Sequence, residues 1–237
     1  MTDWKQALRL SFRVIYPYII YVCVASLFYT WGEVMHQEQA IVMLEGAAAS
    51  SLILLYFYRK ERTMGIPKVS ISLQAGVLSA ALCLFLNLLL LSGVSDETSK
   101  EIYQSQFVIQ ILTAGIAIPA AEELVFRGMG FLRLRESMNF FPAALFSSIM
   151  FGIYHGEMIQ GVYAGVMGFL FAWLAEKGKG VFLPMLGHMA ANLCSLFFTI
   201  SGEAWWLMEK MSRRGLGGVF LAAIVFFFIR QKKKGRE

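Results

Sequence analysis

The sequence predicts an all-α membrane protein, a polytopic bundle of about eight transmembrane helices. Three observations predict it. Hydrophobic residues fill 57% of the 237 positions and charged residues only 16%, against about 25% charged in a soluble domain. The apolar residues gather into eight runs, most of them near the roughly 20 residues that a bilayer-crossing helix needs. Lys and Arg cluster at alternate junctions between the runs, as the positive-inside rule orders them. With a mean hydropathy of +0.60, this composition excludes an ordinary soluble globule and a disordered chain. Residues 1–237 read as a single integral-membrane domain.

The runs follow in order. Residues 14–32 carry no charge and come after Lys5, Arg9 and Arg13, which makes them a retained first span rather than a cleaved leader. Residues 41–58 hold Glu45 near their start and close on the basic cluster Arg59-Lys60-Glu61-Arg62. Residues 69–95 are free of charge, with Asn87 as an internal polar group. Residues 107–126 have Glu122 and Glu123 as their only charges, and an amphipathic stretch with Arg127, Arg133 and Arg135 follows. Runs 142–155, 161–175, 181–202 and 215–229 complete the set. The last would rise about 22 Å, short of the hydrocarbon thickness, and Arg214 and Lys232 would snorkel to make up the difference.

Charge placement sets orientation. The N-terminus, the 59–68 loop, the 127–135 segment, Lys177 with Lys179, and the 232–236 tail are basic, which puts both termini in the cytoplasm of a multi-pass cell-membrane protein. Lys210, Arg213 and Arg214 run against that pattern, offset partly by Glu203 and Glu209. The net charge of +5 is not collected on a soluble face, so nucleic acid is not an expected partner. Cys23, Cys83 and Cys194 are odd in number and lack any spacing pattern, which argues against a disulfide framework or a zinc module. Gly161-x-x-x-Gly165 permits close helix approach.

An ionisable residue inside a span is a functional candidate by default. The informative ones are Glu122, Glu123 and Arg127 on the fourth run, His155 on the fifth, and His188 with Asn192 on the seventh. Glu123 and Arg127 are spaced i,i+4 and so share a helix face, as do His188 and Asn192. Glu122 is turned about 100° from Glu123, which suggests that Arg127 holds Glu123 while Glu122 faces a cavity. Helical rise places Glu122 and His155 each about 20 Å from a helix end, so three elements would converge at intermediate depth, open to the cytosol.

These groups suit hydrolysis. Glu122 would take a proton from water, His155 would share or orient that water, and His188 and Asn192 would donate hydrogen bonds to a developing oxyanion. Other intramembrane hydrolases fit poorly. Asp3 and Asp96 are the only aspartates and neither lies in a span, and the sequence has neither H-E-x-x-H nor G-x-S-x-G. Zinc held by His155, His188 and a Glu remains open. So does a non-catalytic membrane scaffold or peptide-binding protein that keeps these groups as helix glue. A transporter is weakened by the lack of a detectable repeat pair. Glu45, Asn87 and His36 read as packing or interfacial residues.

The motifs also resemble a known family. Glu122-Glu123-Leu124-Val125-Phe126-Arg127 reads E-E-x-x-x-R, Phe151-Gly152-Ile153-Tyr154-His155 reads F-x-x-x-H, and His188-Met189-Ala190-Ala191-Asn192 reads H-x-x-x-N. Their order and spacing over residues 107–200 are similar to the CPBP family of CAAX proteases and bacteriocin-processing enzymes, which includes the type II CAAX prenyl endopeptidases. The resemblance implies an eight-helix intramembrane glutamate protease with 107–200 as its catalytic core. Glu122 and His155 would activate water, His188 and Asn192 would form the oxyanion site, and Glu123 and Arg127 would support the first motif. It implies no metal or other cofactor. The partners it implies are a peptide or lipidated-protein substrate and membrane lipid.

Overall fold

The computed structural model describes residues 3–62, 67–90 and 104–200. Over them the chain forms seven helices: α1 Asp3–Val34, α2 Gln39–Glu61, α3 Val69–Leu90, α4 Phe107–Leu134, α5 Phe140–Tyr154, α6 Met158–Gly178 and α7 Phe182–Ile200. Five of these, α1 to α4 and α6, are long and apolar enough to cross a membrane, while α5 and α7 are shorter apolar helices. The protein is a polytopic helical membrane protein, as the composition predicts. The expected eighth span at 215–229, the acidic 96–101 loop, the 203–214 loop and the basic tail lie outside the described residues.

Two helices extend beyond the apolar runs of the sequence. α1 starts near Asp3 rather than at residue 14. Its 32 residues rise about 48 Å, well beyond a hydrocarbon core of about 30 Å. Trp4, Leu8, Phe12, Ile15 and Ile19 make an exposed apolar stripe at helical spacing, so the lipid-facing side continues past the charges at Lys5, Arg9 and Arg13. α4 extends beyond the apolar run that ends at Phe126, through the amphipathic stretch to Leu134. Two π-helical stretches, Ile111–Ala117 and Leu124–Phe131, flank a short α segment, Ile118–Glu123.

Arg133, read from sequence as part of a basic topology segment, is fully buried. Its guanidinium makes two bonds to Glu61, Nε to Oε2 at 2.9 Å and Nη2 to Oε1 at 2.8 Å. It also reaches the Tyr16 hydroxyl at 2.8 Å and donates to the Arg13 carbonyl. That carbonyl is open because Pro17, four residues on, has no N–H to give it. Glu136 pairs with Arg13 at 2.8 Å and Arg62 at 2.7 Å. The cluster ties α1, α2 and the end of α4 together, and Arg135 with Glu176, at 2.9 Å, ties α4 to α6. Glu61→Gln removes the carboxylate from a fully buried guanidinium. The expected cost is about 2–3 kcal/mol, just under the range for breaking a fully buried pair, since Glu61 is one-third exposed. Thermal unfolding of the detergent-purified variant measures it.

α5 packs on α6, and α7 on α3 and α6. The α5–α6 approach is closest at Gly152, where an added Cβ would lie 2.6 Å from the carbonyl oxygen of Gly161. Backbone cannot swing aside as a side chain can. Gly152→Ala should therefore force the helices apart and cost about 1–3 kcal/mol, read as a lower unfolding midpoint than wild type. α5 ends at Tyr154, and two residues later Gly156, with a φ of +78°, lets the chain turn into α6.

Candidate active site

α4 brings Glu122 and Glu123 into the interior, 4% and 0% exposed. A carboxylate so placed needs partners. Glu123 Oε1 has two: it accepts from Arg127 Nη1 at 3.0 Å and from His188 Nδ1 at 2.9 Å. The sequence reading supplies the Arg127 pair but not the link to His188. Because a carboxylate oxygen only accepts, Nδ1 of His188 carries the proton of that bond. Nε2 of the same ring lies 3.8 Å from Glu122 Oε2. One imidazole thus sits between the two neighbouring carboxylates, close to one and farther from the other.

Aromatic rings fix these groups. The Arg127 guanidinium lies 4.2 Å from the Phe151 ring centroid and 5.3 Å from that of Phe171. His188 stacks on Phe171 at 4.7 Å, and His155 meets Phe151 edge-on at 4.7 Å. Phe151, the first residue of the F-x-x-x-H motif, is the shared surface of Arg127, His155 and His188.

His155 is the C-cap residue of α5. Its Nδ1 donates to the Phe151 carbonyl at 2.8 Å, which turns Nε2 outward as an acceptor in the neutral ring. Asn192 Nδ2 donates to the Ala114 carbonyl at 2.9 Å. That carbonyl lies in the first π stretch, where Ile118 N–H reaches back five residues to Thr113. In the same register Ala114 would be served by residue 119, and Pro119 has no N–H. The second hydrogen on Asn192 Nδ2 remains for another acceptor.

Glu122, His155, His188 and Asn192, drawn from α4, α5 and α7, line one cavity of about 250 Å³. Glu123 and Arg127 stand behind it. A second cavity, about 610 Å³, lies toward α1 and α2 and shares Ile118, Glu122, His155 and Gln160 with the first. Tyr21 and Tyr154, whose hydroxyls are 3.1 Å apart, border it.

Residues 104–194, which contain this constellation, match the family model described as type II CAAX prenyl endopeptidase Rce1-like. Over this segment, less than half of the chain, the protein is similar to that family. A protein of Bacillus subtilis (strain 168) named "Putative membrane peptidase YdiL" is 32% identical over 115 residues, 48% of this chain and 47% of that protein. The chain therefore spans about half the length of the curated relative it matches. No solved structure matches it.

Within the matched segment the structure gathers every residue that the three motifs single out. It also adds residues that the sequence reading left aside. Gln160 and Tyr163, on the first turns of α6, line the same cavity, as do Asn87 of α3 and Ser195 of α7. Asn87 had no visible partner in the sequence, because Ser195 lies 108 positions away. Ser195 carried a weak signal, since it extends the His188–Asn192 stripe by one further turn. Among the described residues, no group of three or more His, Cys, Asp or Glu side chains is placed to hold a metal ion.

Proposed function

We propose that the protein is an intramembrane endopeptidase that cleaves a peptide bond of a membrane-associated or lipidated peptide with water activated by Glu122. The observation that carries this reading is the shared cavity of Glu122, His155, His188 and Asn192 in an otherwise apolar bundle. The similarity of residues 104–194 to the type II CAAX prenyl endopeptidase model and the peptidase name of the Bacillus subtilis relative support it.

Glu122 accepts a proton from water, which His155 orients, and the water oxygen attacks the scissile carbonyl carbon. The carbonyl oxygen becomes an oxyanion that accepts a hydrogen bond from Asn192 and a second from Nε2 of His188 in its imidazolium form, whose Nδ1 stays on Glu123. Collapse of the tetrahedral species breaks the C–N bond, and the amine leaves with the proton held on Glu122. Glu123 and Arg127 work one step back: Glu123 holds the His188 ring and Arg127 holds Glu123. Residues 107–200 form the catalytic core of a single membrane domain, with both termini in the cytoplasm.

The test compares membrane peptides by mass spectrometry from cells carrying wild type, Glu122→Gln or His155→Ala. Products present with wild type and missing with both variants, at equal membrane insertion, support the peptidase. Unchanged products with Glu122→Gln would point to a scaffold. Loss of wild-type activity on chelation would point to zinc.

A further inference from the structure

Gln160 stands in the site without a task in the proposed chemistry. It is the third residue of α6, the position from which a glutamine can reach back to the N–H of the residue that precedes the helix. That residue is Glu157, and its N–H already donates to the His155 carbonyl at 2.9 Å. The local use for the side chain is therefore taken. Among the described residues the Gln160 amide has no hydrogen-bond partner. It is half-buried and lines both the 250 Å³ and the 610 Å³ cavity.

That shared position is restrictive. Among the described residues only Ile118, Glu122, His155 and Gln160 border both cavities. Two of them are the proposed base and the residue that orients its water, and Ile118 is apolar. A substrate segment that runs from one cavity into the other passes the attacking groups and Gln160 at the same threshold. To be cut there, the segment must be extended, so its main-chain N–H and C=O groups have left their helical partners. Each such group left unpaired inside a bilayer costs several kcal/mol. The glutamine amide carries two donor hydrogens and an acceptor oxygen, which match the two halves of a peptide unit. A substrate carboxylate would meet Glu122 as a like charge, and an ammonium would occupy the base, so the group bound at this point is uncharged.

We propose that Gln160 binds the main-chain amide next to the scissile bond, where an extended substrate crosses from one cavity to the other. The proposal rests on the peptidase reading and adds to it the group that grips the substrate backbone. Gln160 holds the peptide equally before and during attack, so its loss weakens binding rather than chemistry.

The experiment uses the full chain in detergent micelles and synthetic peptides spanning a cleavage site found in the Glu122-dependent comparison. One peptide has amide bonds throughout. In two others an ester replaces the amide on one or the other side of the scissile bond. Gln160→Ala and Gln160→Met should each raise KM for the first peptide about 3–10-fold, the worth of one uncharged hydrogen bond, with kcat within about twofold of wild type. In wild type one of the two esters should raise KM by a similar factor. That penalty should vanish in both variants, because the partner of the missing N–H is already gone. Gln160→Met keeps the side-chain length and carries the test if Gln160→Ala is poorly folded. An unchanged KM, a fall in kcat alone, or ester penalties equal in wild type and variants would overturn the backbone contact and leave the peptidase reading in place. Absence of any Glu122-dependent product would overturn both.

Discussion

Glu122→Gln should lower cleavage by about 10²–10⁴-fold, the usual contribution of a positioned general base. The substitution keeps side-chain volume and removes only the ability to take a proton. No hydrogen bond or ion pair joins Glu122 to Arg127 among the described residues, and His188 Nε2 is 3.8 Å from Glu122. The variant should therefore fold and insert as wild type does. Single-turnover cleavage of a synthetic substrate measures the loss, and size-exclusion profiles with unfolding midpoints check that the fold is intact. Wild-type rates in this variant would remove Glu122 from the chemistry.

Removing Arg127 should be costly in a different way. Arg127 and Glu123 are both fully buried and paired at 3.0 Å, and breaking such a pair from one side costs about 3–5 kcal/mol because the other charge stays buried. Arg127→Leu should thus lower the unfolding midpoint sharply and abolish cleavage. The informative partner is the double variant Glu123→Leu/Arg127→Leu. Replacing both charges with apolar groups is often neutral or stabilising, so stability should recover in large part. Activity should not recover, because His188 Nδ1 has lost the oxygen it binds at 2.9 Å and the ring is no longer held. Recovery of both stability and activity would reduce the pair to packing.

Most of the bundle was legible from apolar run lengths, because lipid imposes a simple requirement on the backbone. The Glu123–Arg127 pair was legible too, since i,i+4 spacing makes it local. What failed to show in the sequence was the burial at the far end of α4. A π stretch does not keep the 3.6-residue period, so nothing in the basic run after Phe126 showed that Arg133 is fully buried. The role of Asn87 was hidden for another reason. A single amide in an apolar run reads as glue, and only the α3–α7 contact brings it beside Ser195. The bond from His188 to Glu123 spans 65 positions, and no local pattern reports on such distances.

Pro119 shows how an imino acid becomes a receptor. By withholding a hydrogen it leaves an empty socket on its own rod, and the amide of Asn192 plugs into it from another. Pro17 does the same for Arg133 at the other end of the assembly. Two missing atoms thereby latch three separate elements, and any residue bearing a main-chain hydrogen at position 119 would close the socket and unfasten a side chain that it never touches.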